Sequence, residues 1–146
     1  MENQKLVNVE KVPEGLFLVN TLGIIYDPLN KKILIGKRVD DLNVPELSWS
    51  FPGGVPGRNE DLEKALEKKI LKKTGLKVKS LGNIFSRIPK ENNKFLLMYY
   101  LCEIISGDEV ALDDFTELKW VDPEELEKYF TTSFDSRLKE YIIHLK

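Results

Sequence analysis

Hydrophobic residues in this chain fall into short runs separated by turn residues, a spacing that predicts strands more often than helices. Residues 16–26 are dense in leucine, valine and isoleucine and end at the turn sequence Asp27-Pro28-Leu29-Asn30. A second apolar run at residues 33–35 leads into Gly36-Lys37-Arg38. The two runs are therefore expected to form a β-hairpin.

The rest of the pattern predicts strands on both sides of one central helix. The helix covers residues 61–74, because acidic and capping residues precede it and Gly75 ends it. Further strands are expected at 49–51, 76–85, 94–105 and 115–121, with a polar loop at 40–48 and a turn at 52–54. A short helix begins at Asp122-Pro123 and a final helix covers 136–146. This order predicts a mixed β-sheet with helices on its faces, an α/β or α+β sandwich.

The central helix has an unusual inner face. At about 100° per residue, its apolar residues form one stripe, which should face the sheet. Lys69 and Lys73 fall inside this stripe, Lys72 lies near its edge, and Lys64 and Lys68 point toward solvent. Two interpretations stay open: the lysines complement the helix dipole and extend outward, or they form an anion pocket beside Gly53-Gly54. The stripe consists of Leu62, Ala65, Leu66 and Ile70.

Composition narrows the functional classes. The 146 residues suit a single domain, 1–146, and the net charge of −2 does not favour nucleic acid as a partner. Cys102 is the only cysteine and His144 the only histidine, which excludes an intrachain disulfide and argues against a cysteine zinc cluster or a Ser-His-Asp triad. The polar N-terminus and the short apolar runs predict neither a signal peptide nor a membrane span, so a cytoplasmic location is expected.

Residues 51–76 resemble the Nudix box, the signature of the Nudix hydrolase superfamily. The family pattern is G-x5-E-x7-R-E-U-x-E-E-x-G-U, where U is an aliphatic residue. Gly54, Glu60, Ile70, Gly75 and Leu76 match it without insertion or deletion. The flanking segments 16–38, 49–52 and 117–126 are similar to the family's opening hairpin, its lead into the box and its last strand and helix. The resemblance implies the Nudix fold over nearly the whole chain, a mixed β-sheet packed between helices.

The chain departs from the family pattern where the family binds metal. Lys68 stands in place of the arginine, and Lys69, Lys72 and Lys73 stand in place of three glutamates. In the family, these glutamates hold divalent cations that polarise the substrate's diphosphate and activate water. Ammonium groups cannot coordinate magnesium. The resemblance therefore implies a degenerate box with no cofactor, unless magnesium or manganese finds ligands outside it.

The same lysines can hold a phosphate directly, because lysine binds phosphate as a point charge. Clustered lysines also lower one another's pKa, so proton transfer by one of them stays open. The candidate ligand-binding residues are Gly53, Gly54, Arg38, Lys69, Lys72 and Lys73.

Carboxylates outside the replaced positions are the candidates for catalysis. Glu60 keeps its family place, although a structural role such as holding the glycine loop is the favoured interpretation. Glu117, Asp113 and Asp114 lie in the region where family members often carry an extra catalytic carboxylate. The alternative interpretation is that these three acids belong to a solvated loop. Glu63, Glu67, Asp40 and Asp41 are interpreted as surface or loop acids.

Aromatic and polar residues on the strands offer weaker candidates. Trp49, Phe85, Tyr99 and Tyr100 are possible stacking surfaces, although aromatic residues on strands usually belong to the core. Arg87 is a further phosphate candidate, and residues 128–134 either line the ligand cleft or form a capped connection.

Three functions remain. The first is binding of a small phosphate-containing ligand, such as a nucleoside diphosphate linked to another group, with little or no metal-dependent hydrolysis. The second is an active Nudix hydrolase with metal ligands recruited from elsewhere, and the third is a partner-binding scaffold. Fold alone does not decide among them. A homodimer is possible.

Overall fold

The computed structural model describes residues 9–38, 48–131 and 133–145. Most of the predicted loop at 40–48, including Asp40 and Asp41, lies outside these ranges. The α-helices are α1 (Leu62–Thr74) and α2 (Ser136–Ile143), with short 3-10 helices at Val9–Lys11 and Pro123–Lys128. The strands are β1 (Leu18–Asp27), β2 (Lys32–Arg38), β3 (Trp49–Ser50), β4 (Gly53–Gly54), β5 (Lys77–Arg87), β6 (Phe95–Ser106) and β7 (Phe115–Val121).

Within the described residues, the strands form one seven-stranded mixed sheet. Five strands follow one another in the order β3-β2-β1-β6-β5, while β4 pairs with β1 and β7 pairs with β2 outside this order. β1 pairs with β6 in parallel, while β2 pairs with β1, β3 and β7 in antiparallel orientation. β5 and β6 form an antiparallel hairpin. The predicted fold class and the hairpin between β1 and β2 are both confirmed.

Each face of the sheet is covered by a different helix. On what we call the α1 face, Leu66 and Ile70 of α1 pack against Ile25 and Leu34 of the sheet. On what we call the α2 face, α2 and the 3-10 helix Pro123–Lys128 cover the other side of the strands. Side chains alternate between the faces along each strand, so Ile24 and Ile25 lie in different cores. The α2-face core contains Ile24, Tyr26, Ile33, Ile35, Phe51, Tyr99, Val121, Leu126, Leu138 and Ile142.

The structure corrects the turn predicted at residues 52–54. Gly53 and Gly54 form β4, which pairs antiparallel with Leu22 and Thr21 of β1. Thr21 is fully buried, and its hydroxyl donates to the Gly54 carbonyl at 3.1 Å. This pairing places the two glycines beside α1.

Gly53 is fixed by a close backbone approach. A Cβ atom at this position would lie 1.9 Å from the Thr21 carbonyl oxygen, so Gly53→Ala is expected to lower the free energy of unfolding by about 1–3 kcal/mol. The matched control is Gly54→Ala, because the three atoms nearest to a Cβ there all belong to the flexible Lys69 side chain. Urea denaturation of both variants checks this, and equal stabilities would contradict it.

Candidate functional site

Helix α1 ends at Thr74 as predicted and begins at Leu62, one residue later than predicted, because Asp61 is its N-cap. The Asp61 carboxylate accepts a hydrogen bond from the Lys64 amide at 3.0 Å, and Gly75 closes the helix in the left-handed conformation with φ of 75°. The inner stripe is confirmed, because Ala65, Leu66 and Ile70 are buried.

The lysines of α1 are placed in three different environments. Lys64, Lys68 and Lys72 are exposed, Lys69 is half-buried and Lys73 is buried. The sequence therefore correctly separated the inward pair, Lys69 and Lys73, from Lys64 and Lys68. The inner face of α1 is apolar in its first half and cationic in its second half.

Lys69 lies across the glycine strand β4. A Cβ atom on Gly54 would come within 2.7 Å of Lys69 Cδ, 3.2 Å of Cε and 3.7 Å of Nζ. The aliphatic stem is therefore packed on Gly54. Within the part of the chain that the structure describes, no hydrogen bond or ion pair engages the Lys69 ammonium. The sequence-predicted residues Gly53, Gly54 and Lys69 thus come together.

Lys73 is placed differently, with a side chain only 6% exposed. Its Nζ lies 3.3 Å from Asp114 Oδ1 and 5.6 Å from the centre of the Phe115 ring. Burial lowers the pKa of this ammonium, and the negative charge of Asp114 opposes the shift. Its ammonium is therefore directed at a carboxylate of the protein rather than at open solvent.

Arg38 joins the same cluster from the end of β2. Its Nη2 lies 3.0 Å from Asp114 Oδ2, and its side chain is 23% exposed. Asp114 is therefore bound by both cations. The loop that carries Asp114 is anchored to the end of α1, because the Leu112 amide donates to the Lys73 carbonyl at 3.0 Å.

Glu60 and Glu117 do not join this cluster. The Glu60 carboxylate accepts a hydrogen bond from the Gly57 amide at 2.7 Å, which is the geometry of a loop support. Glu117 is exposed and pairs across the sheet with Lys37. Its neighbours Leu118 and Trp120 pack on the α1 face, so Glu117 points to the α2 side.

Two further acids of α1 have a role that the sequence did not predict. The Ser80 hydroxyl donates to Glu63 at 2.6 Å, and the Ser80 amide donates to Glu67 at 2.8 Å. Both carboxylates therefore hold β5 where its register shifts between Ser80 and Gly82. They are not simple surface acids.

The predicted stacking residues belong mainly to the α2-face core. Phe85 and Tyr99 contact each other with ring centroids 6.0 Å apart, and Trp49 packs edge-on against Tyr129 at 5.7 Å. Tyr100 is buried on the α1 face. These aromatic side chains therefore pack against other residues of the protein, as is usual for aromatic residues on strands.

Arg87 connects the sheet to the segment before α2. Its guanidinium donates to the Tyr99 hydroxyl at 3.2 Å and to the Ser133 hydroxyl and carbonyl at 3.1 and 2.9 Å. Glu91 accepts from both the amide and the hydroxyl of Ser133. Residues 128–134 were expected either to line the ligand cleft or to form a capped connection, and these contacts favour the capped connection. Asp135 caps α2, because its carboxylate accepts a hydrogen bond from the Arg137 amide.

A separate depression of about 780 Å³ lies at the opposite end of β1 and contains none of the predicted site residues. Several of its polar groups have partners, since the Trp120 indole donates to Glu109 at 2.8 Å and Lys32 pairs with Asp122 at 3.0 Å. We therefore place the candidate site beside Gly54. The depression is lined by Asp27, Asn30, Lys32, Leu76, Ile104, Gly107, Asp108, Glu109 and Trp120.

The described residues bear on the metal and membrane predictions. They contain no group of three or more histidine, cysteine, aspartate or glutamate side chains arranged to hold a metal ion. They also contain no helix with the length and apolar character needed to cross a bilayer.

The fold and site define an α+β domain in which one helix presents a cationic face to a glycine strand. Residues 17–142 match the family model described as the NUDIX domain. The chain therefore belongs to the Nudix family.

Solved structures share this fold at low sequence identity. A NUDIX hydrolase from Nitrosomonas europaea superposes with a TM-score of 0.70 at 16% identity, covering 89% of this chain and 72% of that one. The MutT protein of Methanosarcina mazei Go1 gives 0.68 at 14% identity, covering 90% and 94%. An ADP-ribose pyrophosphatase from Streptococcus suis gives 0.59 at 17% identity, covering 73% and 74%. No curated protein sequence matches this chain significantly.

Proposed function

We propose that this protein binds a phosphate-containing small molecule, of the class of a nucleoside diphosphate linked to another group, with little or no metal-dependent hydrolysis. The observation that carries the proposal is the Lys69 side chain, which packs on Gly54 and whose ammonium has no ion pair with any residue that the structure describes. Lys72 is exposed in the last turn of α1, and Arg38 is bound to Asp114. The ligand class is supported by the structural similarity to an ADP-ribose pyrophosphatase and to a MutT protein.

The donor set does not fit a divalent cation. The box positions that ligate metal in the family hold three lysines, whose ammonium groups repel a cation and offer no lone pair. Among the described carboxylates, Glu60 accepts from Gly57 and Asp114 binds two cations. We therefore propose that the box is degenerate and derive no hydrolytic step through magnesium or manganese.

Lys69 is expected to bind phosphate because its ammonium is charged and its side chain is partly removed from water. Packing on Gly54 removes part of the Lys69 side chain from water, and charge-assisted hydrogen bonds are stronger in such an environment. A phosphate held by Lys69 satisfies an ammonium that the described protein groups leave without a partner. The backbone of β4 allows close approach, because glycine has no side chain to shield it.

Pyrophosphate or ADP-ribose, added with chelator at about 100 times its dissociation constant, is expected to stabilise the fold by about 2.7 kcal/mol. For a chain of this length that corresponds to a rise in Tm of roughly 5 °C or more, measured by thermal shift assay. Sodium chloride at equal ionic strength is the control. The absence of any rise with every phosphate ligand would refute the proposal.

The two alternatives give different results in the same samples. An active hydrolase would release product faster with magnesium or manganese than with chelator. A scaffold would show neither response and would retain a protein partner through purification. The single domain 1–146, the cytoplasmic location and the possible homodimer remain predictions from the sequence.

A further inference from the structure

The depression at the far end of β1 combines apolar walls with carboxylates. Its volume of about 780 Å³ is in the range of sites that hold small organic molecules. Leu76 is buried, Ile104 is 37% exposed and Trp120 is partly buried, so the lining offers apolar surface. The lining residues that carry a negative charge are Asp27, Asp108 and Glu109. A ligand of this depression therefore needs both an apolar part and a positive charge.

Trp120 is fixed in the wall of the depression by Glu109. The indole Nε1 donates to both carboxylate oxygens, at 2.8 Å to Oε1 and 3.0 Å to Oε2. This hydrogen bond engages the polar edge of the ring, and the π face of an indole attracts organic cations. A carboxylate that accepts one N–H also keeps further lone pairs. Glu109 therefore orients the ring and still has the capacity to accept from an ammonium group.

The loop after β6, which carries two of the carboxylates, is held against the end of α1. A Cβ atom on Gly75 would lie 2.6 Å from the Asp108 carbonyl oxygen, and a Cβ atom on Gly107 would lie 2.5 Å from the Gly75 carbonyl oxygen. The Val110 amide donates to the Thr74 carbonyl at 2.9 Å. Because these are backbone contacts, the loop is in place before any ligand arrives, which reduces the cost of binding.

The residues that line the depression carry more negative than positive charge. Lys32 is the cation among them, and it is bound to Asp122 at 3.0 Å. The Asp108 carboxylate has no hydrogen bond or ion pair with any residue that the structure describes. The Asn30 side chain donates to Asp27 and holds the pKa of that carboxyl below its usual value, so Asp27 is ionised at neutral pH. The lining therefore attracts cations.

We propose that this depression binds a linear aliphatic polyamine, a chain of methylene groups that carries two or more ammonium groups. The methylene chain lies on Trp120, Leu76 and Ile104, and the ammonium groups bind the carboxylates. More than one ammonium is required because the carboxylates come from separate segments, Asp27 from the β1–β2 hairpin and the others from the loop after β6. The depression contains none of the residues proposed to bind phosphate, so this inference does not rest on the proposed function.

The indole N–H resonances of the two tryptophans provide the test. Spermidine added to the full chain at physiological ionic strength is expected to shift the Trp120 resonance saturably. Trp49 packs against the α2-face core and serves as the internal control. Butanediol, which has the chain without the charge, and magnesium chloride, which has the charge without the chain, are expected to produce no such shift.

Three results of this titration would overturn the proposal. The first is an unchanged Trp120 resonance with spermidine. The second is an equal shift with magnesium at the same ionic strength, which would mean that the carboxylates attract any cation. The third is tighter binding of a lysine blocked at both its amino and carboxyl groups, which would mean that the depression receives a lysine side chain of another protein.

Two amide variants test the carboxylates. Glu109→Gln keeps an acceptor for the indole and Asp108→Asn keeps the side-chain shape, while each removes one charge. Each is expected to raise the dissociation constant for spermidine about threefold, and the double variant about tenfold, as is reasonable for partly exposed ion pairs. Glu140→Gln, an exposed position on α2, is the matched control and should change it less than about 1.5-fold because salt screens distant charges.

Titration calorimetry measures these constants, and thermal melting checks that each variant is folded. Wild-type affinity in the double variant would overturn the proposal, as would an equal loss in Glu140→Gln. If Glu109→Gln folds poorly, Asp108→Asn gives the same test, because its carboxylate has no partner to lose among the described residues. The double variant should bind pyrophosphate as the wild type does, so failure at one site is distinguished from failure at the other.

Discussion

Lys73→Glu is expected to lower the free energy of unfolding by about 3–5 kcal/mol. The change removes the ammonium that lies 3.3 Å from Asp114 Oδ1 and places a second carboxylate in the same buried site. Burial makes the new charge costly, and Asp114 then repels it. Urea denaturation monitored by circular dichroism measures the loss. Because glutamate is the residue that the family pattern has at this position, restoring the family residue is expected to damage this protein.

Lys68→Glu is the matched control, since it makes the same change of charge five residues earlier, at an exposed position of α1. Its effect should stay within about 0.5 kcal/mol, as is usual for surface positions. Similar stabilities for the two variants would mean that the Lys73–Asp114 pair contributes little. Adding Asp114→Lys to Lys73→Glu restores an ion pair of reversed polarity and should recover part of the lost stability.

Lys69→Glu is expected to weaken binding of pyrophosphate about a hundredfold, equivalent to about 2.7 kcal/mol. The half-buried ammonium over Gly54 becomes a carboxylate, so attraction for phosphate is replaced by repulsion. The fold should persist, because Lys69 has no ion-pair partner among the described residues to lose. Titration calorimetry with chelator present measures the change.

The same Lys68→Glu control shows whether Lys69 contacts the ligand or attracts it only through the net charge of α1. It alters the net charge of α1 by the same two units, but its side chain is exposed. We expect it to change the dissociation constant less than about threefold at physiological salt, where surface charges are screened. If the two variants weaken binding equally, Lys69 attracts the ligand only through the general field and does not contact it.

Local signals explain what the sequence predicted well. Helix α1 has a capping aspartate at one end, a glycine at the other and a regular apolar stripe between them, so its ends and its inner face could be predicted. The strand Phe115–Val121 was likewise bounded by recognisable turn residues. These features depend on residues within a few positions of one another, and single sequences carry such information.

Non-local contacts explain what the sequence did not predict. The buried position of Lys73 on the inner stripe called for a carboxylate, but the partner lies 41 residues away in a loop. A bulge between Lys37 and Arg38 changes which side chains of β7 face α1, so Phe115 lies beside Lys73 while Glu117 points to the other side. β4 was predicted as a turn because two glycines favour turns, whereas here they allow β1 to approach closely.

The parallel pairing of β1 with β6 has a consequence for how the protein folds. Leu18 aligns with Phe95 and Ile25 with Cys102, so β2 through β5 and all of α1 lie within the loop that this pairing closes. Closing such a loop costs entropy before its contacts contribute, and folds dominated by distant pairings form slowly. The hairpin of β5 and β6 is local and can form first. Because β4 is a strand through its pairing with β1, and α1 packs on the central strands, a partly folded chain carries the lysines without the finished site.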